Sequence, residues 1–430
     1  MKVLKDSDIP WIGEIPSDWE IKKVKYLAKR LSKGNGITKE EIFPDGDIPC
    51  VRYGEIYTRY NNSFTKCVSA TRSEIHSSPQ FFSTGDILMA GTGELVEEIG
   101  KGVVYLGEER CMAGGDIIIL TPNHNSVFLN FALNSSYAQA QRSQNKAKLK
   151  VVHISPSEIG SILIAIPSFE EQQSIASLLD TKYREIDAIQ DKTQASIEEY
   201  KKLRQSIITE AVTKGIRRNR PMKVTDSVWF SEIPSTWGFK RLKYLFRIEK
   251  RIAGEIGHTV LAITQKGVVP KKMDSGDRGQ FAEDYSNYQL VYPGDFAMNH
   301  MDLLTGWVDI SRYAGVTSPD YRVFTLIDQA TNHPAYYLYF MQMCYMDKIF
   351  YGMGAGVSGM GRWRLQADKF LNFFIPIPPY AEQQEIAAYL DEKCATIDSL
   401  IASKEALITE LEAYKKSIIY EYVTGKKEAL

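Results

Sequence analysis

The chain has 430 residues, 44% of them hydrophobic and 24% charged, which is enough to build two domains of ordinary size and excludes a disordered adaptor. Its 52 Lys and Arg nearly balance 53 Asp and Glu, and a net charge of −1 argues against an indiscriminate binder of polyanions. The stretch MKVLKDSDIP puts charges where a signal peptide needs an apolar core, and no apolar run approaches the roughly 18 to 20 residues that span a bilayer, so a cytoplasmic protein is expected.

In chain order, the first feature is Glu14-Ile15-Pro16-Ser17-Asp18-Trp19 followed by KKVKYL. A body follows, roughly residues 29–160, in which short strand-like runs such as GDIIIL (115–120) alternate with Gly, Pro, Asn and Asp clusters that read as turns. Mixed α/β structure is predicted there. Pro167 then marks a helix start, because proline is excluded from a helix interior yet well placed just before one. Neither Pro nor Gly recurs until Gly215.

The second half repeats this order. The opening motif returns as Glu232-Ile233-Pro234-Ser235-Thr236-Trp237 with KRLKYL, and a second body, roughly 247–370, contains YRVFTL (321–326). Pro378 and Pro379 lead a second stretch free of Pro and Gly up to Gly425. Pro167–Thr213 and Pro378–Thr424 align without a gap, with about 20 of 47 positions identical, which is duplication. The bodies align poorly, and only fragments such as Gly85–Met89 and Gly294–Met298 correspond. Like ends and unlike middles describe one scaffold presenting two different surfaces.

Each proline-led stretch, at ~1.5 Å per residue, predicts a rod of roughly 65 Å. Leu179, Ile186, Tyr200 and Ile207 share one heptad position and Ile175, Ile189 and Leu203 another; in the second copy Leu390, Ile397, Leu411 and Ile418 accompany Ile386, Leu400, Leu407 and Tyr414. Lys182, Thr193, Ser196 and Lys404 interrupt the stripe. The two copies are expected to pack on each other. Their predicted seam is Ile175, Leu179, Ile186, Ile189, Leu203 and Ile207 against Ile386, Leu390, Ile397, Leu400, Leu411 and Ile418.

The chemistry is read largely from absences. There is no phosphate-binding loop and no H-E-x-x-H. Five scattered cysteines without a C-x-x-C and six histidines never three or four apart give no expectation of a disulfide framework or a metal site. Residues 354–359 spell G-x-G-x-x-G, but strand alternation does not precede them and a helix start does not follow, so a glycine loop beside Arg362 and Arg364 is the better reading. Glycine backbone next to arginine suits close approach to phosphates. Ile377-Pro378-Pro379-Tyr380 imitates the Asn/Asp-Pro-Pro-aromatic motif of amino-methyltransferases, yet isoleucine offers no acceptor for the substrate amine, so no catalytic residue is assigned.

Charge is unevenly placed. Residues 170–215 hold 7 Lys/Arg and 9 Asp/Glu, residues 378–430 hold 6 and 10, and the remainder of the chain therefore carries +5. The positive charge lies on the bodies, in clusters such as Arg142, Lys146, Lys148 and Lys150, and Lys271, Lys272, Arg278, Arg362 and Arg364.

The opening motif, the unlike bodies with G-D-I-L, the basic glycine stretch and the repeated EQQ-x-IA-x2-LD-x5-ID segment (Glu171–Asp187 and Glu382–Asp398) resemble the specificity subunit of Type I restriction-modification systems over essentially the whole chain. The first copy departs only in having Ser168-Phe169 where the second has Pro379-Tyr380. The resemblance implies an α+β fold: two mixed α/β target recognition domains with two long helices forming an antiparallel coiled coil, related by a pseudo-twofold repeat. It assigns residues 1–168 and 216–377 to the recognition domains and 169–215 and 378–430 to the helices. Each domain would read half of a bipartite, asymmetric DNA site. The helices would set the spacing and dock two copies of the methyltransferase subunit.

A restriction subunit would add ATP-driven cleavage, so S-adenosylmethionine and ATP-Mg are expected only on partner subunits. Specific reading needs polar side chains at groove edges. The residues expected to do it are Arg52, Thr92, Lys146 and Lys148 in the first body and Lys271, Asn299, His300, Ser358, Arg362 and Arg364 in the second. A duplicated coiled-coil scaffold with no DNA role is the alternative, against which the divergent bodies and their +5 balance speak.

Overall fold

Both proline-led stretches are helical in a computed structural model of the chain, over Phe169–Lys214 and Tyr380–Val423. The structure describes residues 3–96, 98–144, 151–271, 284–356 and 363–429. It divides into two units, residues 1–193 with 406–430 and residues 194–405. Each long helix is therefore shared: the first part of the central helix and the last part of the C-terminal helix belong to the first unit, and the remaining parts to the second.

In the first unit the body is built on a five-stranded sheet ordered Ala28–Lys33, Ile117–Pro122, Ile87–Ala90, Gly102–Tyr105 and Ser63–Phe64, antiparallel except at its last pair. GDIIIL contributes the strand Ile117–Pro122 and is buried on both faces. Ile118 and Leu120 face the helices Ser126–Asn134 and Ser136–Ser143, whereas Ile117 and Ile119 face a second sheet of Ser69–Thr71, Ile48–Val51, Cys111–Ala113 and Phe81–Phe82. Period-two alternation thus divides one strand between two cores.

The second unit keeps the first four-strand order. Phe246–Glu249, Arg322–Leu326, Phe296–Met298 and Val308–Ile310 form an antiparallel sheet, and YRVFTL supplies its second strand. Phe296, Met298 and Phe324 pack against the helix Pro334–Met346, while Ala297 and Val323 face a smaller cluster with Leu261 and Val268. The fragments Gly85–Met89 and Gly294–Met298 occupy equivalent turn-and-strand positions. Their aspartates are buried in both: Asp86 accepts from the Ser83 N–H at 2.9 Å, and Asp295 accepts from the Tyr292 N–H at 2.8 Å. Bodies that scarcely align in sequence therefore share a sheet, and differ in what is added to it.

The opening motif closes each unit. Its strand pairs antiparallel with the strand that leads into a long helix, Glu20–Lys23 with Leu163–Ile166 and Gly238–Arg241 with Phe374–Ile377. Trp19 and Trp237 are fully buried and donate their indole N–H to Glu171 at 3.1 Å and Glu382 at 2.9 Å. The next residue acts alike in both copies. Gln172 accepts from the Asn125 N–H at 3.1 Å and donates to the Pro167 carbonyl at 3.0 Å, and Gln383 accepts from the His333 N–H at 2.8 Å and donates to the Pro378 carbonyl at 3.0 Å. The Glu-Gln pair of the repeated motif is thus a clamp between the opening strand, the helix start and the body's principal helix.

Within each unit the helix segments run antiparallel. In the first, Ile175, Leu179 and Ile186 share a core with Ile418, Ile419 and Val423, and Lys415 bonds Asp187 and, at 2.6 Å, Gln190. In the second, Ile208, Ala211 and Val212 meet Ile386, Ala387, Leu390 and Cys394, and Arg204 pairs with Asp398 at 3.0 Å.

The predicted seam needs one correction. Ile175, Leu179, Ile186, Ile386, Leu390, Ile397 and Ile418 are buried and Ile207 and Leu411 half-buried, but Ile189, Leu203 and Leu400 remain 46%, 47% and 41% exposed. The row through Leu179, Ile186 and Tyr200 is right, and the row beside it lies one residue further on, at Tyr183, Gln190, Ile197, Arg204 and Ala211, each buried or half-buried. On the other helix the displaced row is Cys394, Ile401, Ile408 and Lys415. A heptad permits either neighbouring row. Apolarity favours the wrong one, because the row used carries Gln190, which accepts from Lys415, and Arg204, which is ion-paired with Asp398 across the seam, and because Tyr183 packs on Phe131 of the body at 5.1 Å.

Candidate nucleic-acid interface

Arg52 follows the strand Ile48–Val51 and caps the short helix Tyr53–Thr58. Glu55, one turn on and buried, accepts from the Arg52 N–H at 3.1 Å and from the Ser69 hydroxyl at 2.6 Å, and stands 3.5 Å from the Arg52 Nε. The guanidinium is thereby held at the wall of a cleft of about 1030 Å³, which also takes in Lys33, Lys39 and Arg59. The cleft exists because two loops meet backbone to backbone: a Cβ on Gly34 would lie 2.2 Å from the Gly114 carbonyl, and one on Gly115 would lie 3.1 Å from the Gly36 Cα. Only glycine allows that approach. Four cations face Glu55 and Asp116, and Asp116 is paired with Lys33 at 3.5 Å.

The other candidates of the first body fare differently. Thr92 is a correction: it is 6% exposed, its hydroxyl is bonded to His153 Nδ1 at 3.0 Å, and its carbonyl accepts from Tyr57 at 3.2 Å, so it belongs to the interior rather than to a reading surface. Lys146 and Lys148, with Lys150, lie outside the described residues. Arg142 of the same cluster is buried, with one guanidinium nitrogen on the Leu133 carbonyl.

In the second body Asn299 and His300 follow the strand Phe296–Met298. The Asn299 Oδ1 accepts from the N–H groups of Met301 at 3.2 Å and Asp302 at 3.3 Å, which makes it the cap of its own turn. It borders a cavity of about 520 Å³ with Asp302 and Asp320, a lining that repels phosphate. His300 is half-buried. Burial, with Arg322 and then Arg364 beside it, pushes its imidazole down to about 4, so it is neutral at neutral pH and contributes no charge to an interface. Arg322 behind it is buried, donating to the Leu365 carbonyl at 2.9 Å with its guanidinium 4.9 Å from the Phe370 ring.

Arg364 is exposed on a backbone bridge to Ala355. Lys271 follows the hairpin strand Gly267–Pro270, with its N–H on the Val260 carbonyl at 2.8 Å. Ser358 and Arg362 lie outside the described residues. Among the described residues His300 and Arg364 lie beside each other, the Leu365 N–H on the His300 carbonyl at 3.0 Å, but no described second-body candidate shares a cleft with a group of exposed cations as Arg52 does.

Lys33, Lys39 and Arg59 were not legible as a group. Their spacing has no period, and only the backbone contact of residues 34–36 with 113–115 gathers them. Among the described residues no cluster of three or more His, Cys, Asp or Glu is arranged to hold a metal ion, and no helix is long and apolar enough to cross a membrane.

Two copies of one helix-and-sheet scaffold, each carrying a different body, define a duplicated recognition module. The family model described as Type I restriction modification DNA specificity domain matches residues 16–199 and again 234–413, and the chain belongs to that family. It is similar to the Type I restriction enzyme MjaVIII specificity subunit of Methanocaldococcus jannaschii, 23% identical over 434 residues that cover 96% of this chain and 93% of that protein. The Type I restriction enzyme EcoKI specificity subunit of Escherichia coli is 25% identical over 267 residues, 59% of this chain and 54% of that protein.

Among solved structures, a chain described under complex assembly and conformational transition of the type I R-M system superposes with a TM-score of 0.70 at 15% identity, covering 96% of this chain and 99% of that one. The HsdS subunit from Thermoanaerobacter tengcongensis gives 0.52 at 15% identity over 96% and 98%. These likenesses speak for the fold.

Proposed function

We propose that the chain is the DNA sequence-recognition subunit of a Type I restriction-modification complex. Each body reads one half of a bipartite, asymmetric site, and the helices set the interval between halves and dock two methyltransferase subunits. The observation that carries this reading is the combination of identical clamps, Trp19–Glu171–Gln172 and Trp237–Glu382–Gln383, with bodies whose added elements differ. A structural scaffold alone has no use for two different surfaces on one frame, whereas a reader of two unlike half-sites requires them.

The chain itself performs no methyl transfer, cleavage or ATP hydrolysis in this reading. S-adenosylmethionine and ATP-Mg belong to the methyltransferase and restriction subunits, and the assembly works in the cytoplasm. The test is an exchange of the first body, about residues 20–165, for that of a related protein, followed by mapping of methylated adenines in cells that also make the methyltransferase subunit. One half of the methylated sequence is expected to change and the other to persist. A change in both halves, or in neither, would overturn the assignment of one half-site to each body.

A further inference from the structure

We propose that the cleft at Arg52 is where the first body takes hold of duplex DNA, with Lys33, Lys39 and Arg59 on backbone phosphates and Arg52 directed to a base edge. The inference rests on the function proposed above and adds the site and the division of labour within it.

Four features support it. The cations are of two kinds. Lys33, Lys39 and Arg59 are exposed, and among the described residues neither Lys39 nor Arg59 has an acidic partner, which is how phosphate-contacting groups stand before binding. Arg52 is only 30% exposed, with its Nε 3.5 Å from the Glu55 carboxylate, itself held by Ser69, so the guanidinium is confined to the cleft wall. An arginine fork matches the paired acceptors of guanine in the major groove, and a half-buried side chain has less entropy to lose on binding than an exposed one.

The floor is glycine backbone. A Cβ at Gly36 or Gly54 would meet nothing within 4 Å, so the cleft is open where a sugar-phosphate strand must approach. The rim carries exposed apolar surface at Tyr53 (40%) and Val68 (57%), suited to sugars and thymine methyls rather than to a small free anion. Finally, the cleft measures about 1030 Å³ and its cations stand on two separate stretches of chain, 33–39 and 52–59, an arrangement that spans a strand better than it encloses one phosphate.

The test measures binding of the full chain to a random-sequence duplex by fluorescence anisotropy across about 50 to 200 mM salt. The triple variant Lys33→Ala, Lys39→Ala, Arg59→Ala removes exposed charges only, and is expected to flatten the slope of log K against log salt by about 2 to 3. Lys29→Ala with Lys66→Ala, on the same body but outside the cleft, is expected to leave the slope in place. Equal flattening by both variants, or none by the triple variant, overturns the cleft as the site while the DNA-reading function stands.

Wild-type protein that shows no salt-dependent binding overturns the function, and the cleft with it. Binding of free pyrophosphate that the triple variant loses, with duplex binding unchanged, identifies a small-anion site and also overturns the proposal. In the methylating complex, Arg52→Ala is expected to relax one base pair of the first half-site by roughly ten- to a hundredfold in discrimination, leaving the second half untouched.

Discussion

Replacing Gly425 by alanine probes how the first unit closes. Gly425 ends the C-terminal helix at φ +70°, and a Cβ built there would lie 2.4 Å from Pro16 Cδ and 2.5 Å from Pro16 Cγ, against the face of Trp19. The left-handed backbone costs a side chain about 1–2 kcal/mol, and a proline ring cannot turn aside, so overpacking adds about 1–3 kcal/mol. A loss of about 2–5 kcal/mol is expected in the first unit, and for a unit of this size each kcal/mol lowers the midpoint by roughly 2–4 °C. Gly215 is its counterpart in the second unit at φ +77°, where the added methyl meets the ends of the Arg220 and Glu382 side chains at 2.6 and 2.9 Å. Those ends can shift, so Gly215→Ala is expected to cost less, about 1–3 kcal/mol. A chain of two units has no single melting point. Hydrogen-exchange mass spectrometry therefore reads the strands Ile117–Pro122 and Arg322–Leu326 separately. Unchanged protection in the Gly425→Ala protein, or loss at Arg322–Leu326 in place of Ile117–Pro122, would refute the reasoning.

Arg220→Ala leaves the buried Glu382 carboxylate without its ion-pair partner, and is expected to destabilise the second unit by about 3–5 kcal/mol, more than Glu382→Gln, as read by urea denaturation. His300 has its folded pKa depressed from 6.5 to about 4, so the unfolded chain binds more protons between those values; stability of the second unit is expected to be whole above pH ~6.5 and to fall as pH drops toward ~4, by at most about 3 kcal/mol. Hydrogen exchange at Arg322–Leu326 in His300→Gln over the same range should show a flatter pH profile of stability, and an unchanged profile would rule out His300 as its cause. For the helix seam, Ile197→Ala at a position 1% exposed is expected to cost about 2–4 kcal/mol, whereas Ile189→Lys and Leu203→Lys should stay within about 0.5 kcal/mol in the same denaturation assay. The reverse ranking would restore the row read from apolarity.

Repetition made the scaffold legible. Trp19 and Trp237 recur with the same neighbours, as do Glu171 and Glu382, and recurrence is visible without coordinates; what it could not reveal is that these residues touch. The strand content of GDIIIL and YRVFTL was legible from short apolar runs between turn signals. Their equivalent places in one sheet order were not, because these sheet pairings are set by contacts across some 24 to 33 residues of unlike sequence. The seam was half legible: apolar spacing located Leu179 and Ile186, but no property of Gln190 or Arg204 taken singly marks them as half-buried. Of the interface candidates, Arg52 stood in a cleft while Thr92 lay inside, and both are ordinary polar residues near a strand end. Burial separated them, through packing against Tyr57 and His153, which lie 35 and 61 residues away.

The residues that fix the frame and the residues that line the cleft come from different parts of the chain, and this separation is what lets a body change without loss of the fold. Trp19, Glu171 and Gln172 lie in the opening motif and the helix start, and the intervening connection is the backbone ladder from Glu20↔Ile166 to Lys23↔Leu163. Backbone pairing is indifferent to most side chains, so a substituted body needs two strands of the right length and a principal helix whose leading N–H meets Gln172 to rejoin the clamp. Lys33, Lys39, Arg52 and Arg59 all fall beyond that ladder. Their replacement leaves every hydrogen bond of the clamp in place, and the lining of the cleft can therefore change without selection against the frame that holds it.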